Sequence, residues 1–290
     1  MEKSLLEVPS EDWMELCQLY RKNWPEHLFA YGIVSNYIRW MQSALGNEIS
    51  VKILSLNGTW RENGTFVLFD DFEIYFYSFD ADTNYSTLTD ALCLVPWEIY
   101  SEVSTDFLER HRLAFNKAVS YRKLTIAKDS AANFYYMSRI EVARLEFHNP
   151  PSFHLKRISI DNLDYIYNRW ALRESISRSA GYNLLKRLIL LNESIGLYNE
   201  NGTLVSWCLR DQTGAFADLQ TCEHHLRKGY GRVVVASLAR CLAEQGDESY
   251  AFVLSDNYKS CRLFEQLGFR NIEGLCWVVI RPKNDDTVNP

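Results

Sequence analysis

A glycine-rich turn between a predicted strand and a predicted helix constrains the fold of this chain more than any other feature. Gly229 and Gly231 stand at this turn, and Asn257 opens a further helix downstream. The surrounding elements are predicted as strand, helix, strand and helix at 216–221, 233–245, 249–255 and 256–269. Unpaired N–H groups and the positive end of a helix dipole bind phosphate, and glycine permits the tight turn. The order therefore predicts a phosphate site at the glycine pair.

Composition restricts the class of protein. A chain of 290 residues with 47% hydrophobic and 23% charged residues is typical of a soluble globular protein of about two domains. A net charge of −6 argues against nucleic acid or an anionic membrane as the main partner. Its seven cysteines show no metal-ligand spacing and are interpreted as reduced thiols, so no metal is expected. Without a visible signal or transit peptide, the expected location is the cytoplasm.

Prolines and turn signals divide the chain into two halves. The segment 148–152 contains paired prolines, which continue neither helix nor strand, and gives predicted domains at 1–148 and 149–290. The first half is predicted to have helices at 11–23 and 27–45 and strands at 49–56, 65–69 and 72–79. A long, largely helical stretch, interrupted at Pro96, is predicted at 89–120. The segment 134–147 is ambiguous between helix and strand. No Gly-x-Gly joins a strand to a helix in this half, so no second cofactor is expected there.

The second half predicts an α/β domain with the order βααβββαβαβ. A strand at 153–160 precedes a helix capped by Asp161, and a second helix runs from 182 to 191. A hairpin turns at Asn201-Gly202. The last strand is predicted at 276–280.

These residues resemble a known family. Gly229-x-Gly231, then Asn257-x-x-Ser260, Phe264 and Gly268-Phe269, are similar in order and spacing to the motifs of the GNAT acyl-CoA-dependent N-acyltransferases. A weaker resemblance, carried by residues 31–34 after Trp24-Pro25 and by the two-part chain, is to the glycine N-acyltransferase-like branch. The resemblance implies two GNAT-like α/β domains with mixed sheets, the N-terminal one degenerate. The resemblance also gives the mitochondrion as an alternative to the cytoplasm.

The resemblance further implies acyl-CoA or acetyl-CoA as co-substrate. Backbone N–H groups of the turn would bind the pyrophosphate, and the strand before it would pair with the pantetheine arm. A splayed gap between the strands that end at Thr221 and Ser255 would admit the thioester. The cofactor-binding residues implied are Leu219, Gln220, Thr221, Arg227, Lys228, Gly229, Tyr230, Gly231, Arg232, Asn257, Ser260 and Phe264.

Two positions depart from the family pattern. Leu226 stands where relatives carry Arg or Gln, and only modest weakening is expected because backbone donors do most of the binding. Phe264 stands where many relatives carry a tyrosine thought to protonate the departing thiolate. A phenylalanine cannot donate that proton, and its spacing also fits a buried helix stripe.

Acyl transfer requires a neutral amine, so a proton acceptor is expected near the thioester. Asp218 and Ser255 are the catalytic candidates. Alternation places Asp218 on the face opposite Leu219 and Thr221 unless a bulge intervenes, and an outward carboxylate is the simpler alternative. Ser255 is alternatively a plain turn residue. Arg173, Arg178 and Tyr182 are candidates for holding an acceptor carboxylate. The alternative is that the charged residues of this segment are simply solvated.

The sequence thus predicts direct transfer of an acyl group to the amine of a small molecule, with amino acids among the candidates. The alternatives are a non-catalytic acyl-CoA-binding or regulatory protein, a protein or peptide N-acetyltransferase, and a structural partner protein. Neither nucleic acid nor membrane is expected as a partner, and oligomeric state is not predicted.

Overall fold

The computed structural model describes residues 2–174 and 176–282. These residues divide into two compact units, the first comprising residues up to Ala132 together with those from Glu273 onward, and the second comprising Asn133–Ile272. The domain boundary at residue 148 stays a prediction.

Strands and helices alternate along the first part of the chain. The strands are β1 (Leu5–Glu7), β2 (Val51–Leu56), β3 (Phe66–Asp70), β4 (Glu73–Tyr77), β5 (Val103–Leu108) and β6 (Thr125–Met137). The helices are α1 (Trp13–Leu19), α2 (Leu28–Gln42), α3 (Trp60–Asn63), α4 (Ser86–Leu94), α5 (Arg112–Arg122) and α6 (Arg139–Val142).

The rest of the chain repeats this order. Its strands are β7 (Phe153–Lys156), β8 (Ile195–Asn199), β9 (Leu204–Arg210), β10 (Phe216–Thr221), β11 (Ser249–Leu254) and β12 (Arg270–Arg281). Its helices are α7 (Leu163–Tyr167), α8 (Arg178–Leu191), α9 (Tyr230–Glu244) and α10 (Tyr258–Leu267). Apart from the single-turn helices α3 and α6, both halves follow the order βααβββαβαβ, which the sequence predicts for the second half.

In the first unit, β1 to β5 lie side by side in chain order, and β5 also pairs with β12 through Leu275↔Leu108 to Ile280↔Val103. All of these pairs are antiparallel except β4 with β5, which are parallel. Side chains of α4 and α5 pack on the sheet, where Phe76, Phe107 and Phe115 stack on one another. These rings form the centre of a continuous apolar core.

In the second unit the strand order is β7-β8-β9-β10-β11-β6. The first four strands are antiparallel neighbours, whereas β10 and β11 are parallel. One face is covered by α9 and α10, whose apolar stripes pack against Phe216, Leu197 and Val205. A mixed sheet with helices on it is the α/β class that the sequence predicts.

Three local predictions are wrong. The helix predicted at 89–120 contains strand β5, because Pro96 ends the first helix and Val103–Leu108 alternates between the core and the half-exposed face. Asp161 does not cap α7: Asn162 stands at the N-cap without a side-chain hydrogen bond, and Ser159 accepts the Asp161 N–H as the cap of the preceding 3₁₀ turn, Ile160–Asn162. The strand predicted at 153–160 ends at Lys156.

The ambiguous segment at 134–147 begins as strand β6 and ends as α6, which Ser138 and Glu141 start with a reciprocal capping box. Asn257 does cap α10, as predicted, and Gly268 ends this helix with φ of +96°. Across the described residues, every helix is too short or too polar to cross a bilayer. The same residues contain no cluster of three or more His, Cys, Asp or Glu side chains that could hold a metal ion.

Candidate functional site

The glycine turn forms an uncapped helix start. Gly229 precedes the first turn of α9 with φ of +79°, and no side chain hydrogen-bonds to this end of the helix. A Cβ atom built on Gly229 would meet no atom within 4 Å. Among the described residues, the start of α9 thus has space beside Gly229 and N–H groups without a side-chain cap, the two features that a phosphate-binding corner requires.

Gly231 serves close packing. A Cβ atom at this position would lie 3.2 Å from Cδ1 of Leu263 and 3.7 Å from Oγ1 of Thr221. The absence of a side chain lets the first turn of α9 approach both α10 and the end of β10. The two glycines thus have separate roles. Gly229 leaves open space outside the helix, and Gly231 allows the helix to pack closely against its neighbours.

Basic side chains surround this corner. Arg227, Lys228 and Arg232 are exposed, and their charged groups have no acidic partner among the residues that the structure describes. Arg227 itself lies in the left-handed region, with φ of +61°. Unpaired positive charge beside helix N–H groups favours an anion.

The strand before the turn has one unpaired edge. The parallel ladder of β10 with β11 joins Phe216 to Ala251, and within the described residues it does not continue along Leu219–Thr221. On its other side β10 stays paired, through Gln220↔Trp207 and Thr221↔Ser206 of β9. The edge that faces β11 is therefore available to an extended ligand, in agreement with the predicted gap between these strands.

A β-bulge interrupts β10 at the start of this gap. Between Ala217↔Leu209 and Gln220↔Trp207, two residues of β10 stand opposite one residue of β9. Asp218, the first of the two, has φ of +48°. The extra residue explains why Phe216 and Leu219, three apart, pack against the same apolar cluster. Asp218 is directed elsewhere.

The carboxyl group of Asp218 meets the indole of Trp170. The Trp170 Nε1–H donates a hydrogen bond of 2.6 Å to Oδ1 of Asp218. Burial raises the pKa of Asp218 to about 7, against the opposing effect of this hydrogen bond, and the negative charge of Asp211 adds to the rise. A carboxyl group that titrates near neutral pH can accept a proton there, as a general base must.

The other predicted residues lie around the ends of β11 and α10. Ser255 is a partly exposed turn residue after β11, and Ser260 lies in the first turn of α10. Asn257 is exposed and its side chain accepts the Ser260 N–H at 3.3 Å. Their contacts with a cofactor stay predictions.

Phe264 lies in the core of the second unit. It is 3% exposed and packs among the rings of Tyr135, Phe216 and Phe269. This burial fits the helix-stripe interpretation of the residue, and its predicted contact with a cofactor is untested.

Helices α7 and α8 form a pocket of about 680 Å³. Arg178 and Tyr182, both predicted as acceptor candidates, line it together with Asp164. The Tyr182 hydroxyl donates to Asp164 Oδ1 at 3.1 Å. Arg173 is not among its lining residues and pairs with Glu174 at 3.0 Å.

Two features escaped sequence reasoning. Trp170 is not among the predicted site residues, although its indole N–H, in the connection between α7 and α8, donates to the carboxylate of Asp218 within β10. A second pocket, of about 540 Å³, lies beyond β10, where the Tyr165 hydroxyl and the Cys222 thiol are 3.2 Å apart. Burial, followed by the bond to Cys222, raises the pKa of Tyr165 to about 12.

Comparison with known proteins shows which family model and which solved structures this chain is similar to. Residues 194–278 match the family model described as FR47-like protein. A Drosophila protein of known X-ray structure superposes with a TM-score of 0.85 at 18% identity, over 98% of this chain and 100% of its own. A tandem GNAT protein from the clavulanic acid biosynthesis pathway, solved without acetyl-CoA, has a TM-score of 0.58 at 11% identity, over 98% and 100% of the two chains.

A GCN5-related N-acetyltransferase from Kribbella flavida gives a TM-score of 0.50 at 15% identity, covering 76% of this chain and 87% of its own. The match to a tandem GNAT protein over nearly the whole chain confirms the predicted fold of two GNAT-like halves. Together with the FR47-like match, it supports the GNAT superfamily, while the glycine N-acyltransferase-like branch stays a prediction.

Proposed function

We propose that the second half transfers an acyl group from acyl-CoA to the amine of a small molecule, with amino acids among the acceptors. One observation carries the proposal: the start of α9 is uncapped and open at Gly229, next to a strand with an unpaired edge. A diphosphate fits the first feature and an amide-bearing arm fits the second. The GNAT fold, in tandem over the whole chain, supports the same reaction class.

Phosphate binding falls to the backbone of 229–232, with Arg227, Lys228 and Arg232 supplying charge. The arm of the substrate would lie along Leu219–Thr221 and bring its thioester to the bulge. There the acceptor nitrogen attacks the carbonyl carbon, and Asp218 takes the proton that the nitrogen loses. The C–S bond breaks as the C–N bond forms, and the leaving thiolate is protonated by water, because Phe264 has no hydroxyl group.

The acceptor is assigned to the pocket between α7 and α8. The Arg178 guanidinium suits a carboxylate on the acceptor, and Tyr182 and Asp164 suit its polar groups. Ser255, at the end of β11, is proposed as a polar contact near the reacting atoms.

The test is release of free thiol from acyl-CoAs of several chain lengths in the presence of a panel of amines. Turnover that saturates with both substrates and disappears in Gly229→Val supports the proposal. Thiol release that is no faster than in buffer, for every pair of substrates, contradicts it.

A second function, acyl-CoA binding without turnover, is favoured by one observation. Phe264 is sealed in the aromatic core where many relatives carry a hydroxyl group. This alternative predicts a large thermal shift with acetyl-CoA, about 2.7 kcal/mol of stabilisation at 100 times Kd, with no thiol released. The thermal shift and the thiol-release assay, measured together, therefore distinguish the two functions.

A further inference from the structure

Trp170 connects the bulge in β10 with the acceptor pocket. Its side chain is 6% exposed and follows α7 in the connection to α8. The indole N–H reaches Oδ1 of Asp218 at 2.6 Å, while the other carboxylate oxygen has no hydrogen-bond partner among the described residues. One oxygen of Asp218 is thus held and the other is free to accept a proton.

The ring of Trp170 is in turn held by α8. A Cβ atom on Gly181 would lie 2.7 Å from Cζ3 of the indole, so only glycine allows the first turns of α8 to approach the ring this closely. The same turns carry Arg178 and Tyr182 into the acceptor pocket. Ser177 caps this end of α8 by accepting the Ala180 N–H.

A chain of rings completes the connection. The Tyr167 ring lies 6.5 Å from that of Trp170 and 5.7 Å from that of Tyr182, measured between centroids. The wall of the acceptor pocket and the Trp170 hydrogen bond are therefore parts of one packed group. A shift of α8 would move the indole that holds the carboxylate.

We propose that Trp170 is a positioning residue for acyl transfer: its N–H fixes the carboxylate of Asp218 with the free oxygen toward the acceptor, and its ring couples that orientation to α8. The inference rests on the proposed function and assigns this role to a residue that the family motifs do not mark. Asp218 has a left-handed backbone conformation at a bulge, so the regular alternation of the strand does not fix the direction of its side chain.

The neighbouring charged and titratable groups do not orient the carboxylate of Asp218, so Trp170 does. The charge of Asp218 interacts with Asp211 in the β9–β10 turn and with Cys208 of β9, the residue opposite the bulge. Asp211 is itself satisfied by Thr213 and by the Ala215 N–H. Among the described residues, no basic side chain forms an ion pair with Asp218. The indole N–H is the hydrogen-bond donor that its carboxylate has there.

Trp170→Phe removes the N–H and keeps a ring. We expect kcat to fall about tenfold, KM for acyl-CoA to stay within about twofold, and the acidic limb of the kcat–pH profile to move up by about one pH unit. The direction follows because the hydrogen bond stabilises the carboxylate, so its loss raises the pKa of Asp218. An unchanged kcat or an unmoved limb would overturn the proposal.

Trp207→Phe is the matched control. Trp207 is 0% exposed, and its Nε1 has no hydrogen-bond partner within the described residues. This variant loses a buried indole of the same size without losing a hydrogen bond, so the acidic limb should not move. If Trp207→Phe shifts the limb as much as Trp170→Phe, the effect comes from repacking and the proposal fails.

Two further measurements separate this inference from the proposed function. In an Asp218→Asn background, adding Trp170→Phe should change kcat less than twofold, because Trp170 acts through Asp218. Carbon NMR titration of the aspartate carboxyl groups, with Asp218 assigned from the Asn variant, should show its pKa raised in Trp170→Phe even without turnover. Independent effects on kcat, or an unchanged Asp218 titration, would contradict the role assigned to Trp170.

Discussion

The two halves have the same order of elements, yet their corresponding helix starts differ. In the second half, α9 begins at Gly229 with no capping side chain. In the first half, the connection from β4 to α4 supplies its own anion: Asp82 accepts the Asn84 N–H at 2.9 Å and the Ser86 N–H at 3.2 Å. These bonds lower the pKa of Asp82 to about 2, with the Asn84 N–H as the largest cause. The first half therefore has a carboxylate where the second leaves room for a phosphate.

The gap between the parallel strands differs as well. In both halves the parallel ladder starts the strands and is not continued, at Glu73↔Ser104 in the first half and at Phe216↔Ala251 in the second. In the first half, His111 fills the space beyond, donating from Nε2 to the Ser78 carbonyl at 3.0 Å. Tyr85 packs edge-on against the imidazole at 4.8 Å. In the second half, no described residue pairs with the edge of β10 along Leu219–Thr221 that faces β11.

The third difference is the bulge. The ladder of β3 with β4 runs from Phe66↔Tyr77 to Asp70↔Glu73 without interruption, whereas β10 is bulged at Asp218. Among the described residues, an open helix start, an unpaired strand edge and a partly buried carboxylate thus occur together in one half. The shared fold provides the frame, and these local departures provide the proposed chemistry.

The largest expected effect comes from closing the open corner. Gly229→Val places a β-branched side chain where the diphosphate would lie and strains a backbone with φ of +79°. We expect affinity for acetyl-CoA, measured by calorimetry, to fall about 100-fold or more, through loss of charge-assisted hydrogen bonds. Gly202→Val is the control, since Gly202 has φ of +76° and equally open surroundings in the β8–β9 turn. Equal losses in both variants would show that strain, not site geometry, is responsible.

The second test removes the buried carboxylate. Asp218→Asn should lower kcat by about 100-fold, remove the acidic limb near pH 7 and leave the Kd for acetyl-CoA within about twofold. Activity that keeps its pH profile in this variant would assign the base elsewhere.

The same variant should change stability in a pH-dependent way. The raised pKa means that the folded state favours the protonated acid, so this contribution is complete below pH 3.8 and is lost as the pH rises through about 7. Asparagine has no charge to bury. The Tm of Asp218→Asn should therefore exceed that of the natural protein at pH 8, and the difference should shrink toward pH 4. A lower Tm at pH 8 would contradict the burial of this charge.

The third test opens the filled gap of the first half. His111 is 0% exposed, and burial lowers its pKa to about 3, so it is neutral near pH 7. His111→Ala should lower the free energy of unfolding, from urea titration, by about 3 kcal/mol through a cavity and a lost hydrogen bond. The Kd for acetyl-CoA should stay within about twofold. A large loss of affinity would mean that the first half takes part in binding.

The smallest effect is expected at Leu226, which is 51% exposed beside the turn. Leu226→Arg introduces the residue that the GNAT motif carries at this position and adds a charge near the start of α9. Affinity for acetyl-CoA should rise about two- to fivefold at low salt and less at high salt. Leu226→Gln serves as the uncharged comparison, and an equal gain in both variants would rule out charge as the cause.

The sequence was most informative where a motif and its elements agree. Gly229 precedes α9 and Asn257 caps α10, as predicted, because turn and cap chemistry act over a few residues. The helix itself begins at Tyr230 and not at 233, so Gly231 lies in its first turn. Strand β5 was missed because Pro96 was interpreted as a break within one helix. The sequence allowed a bulge at Asp218 but did not establish it, since a bulge depends on pairing with β9. The Trp170–Asp218 bond joins residues 48 apart, which local patterns do not connect.

The most direct test of the account is a titration of the whole protein with CoA, followed by NMR of its backbone amides. The account predicts that the N–H signals of residues 229–232 shift on binding while those of residues 84–86, which already bond to Asp82, do not. Unchanged signals at 229–232 in the presence of saturating CoA would contradict it.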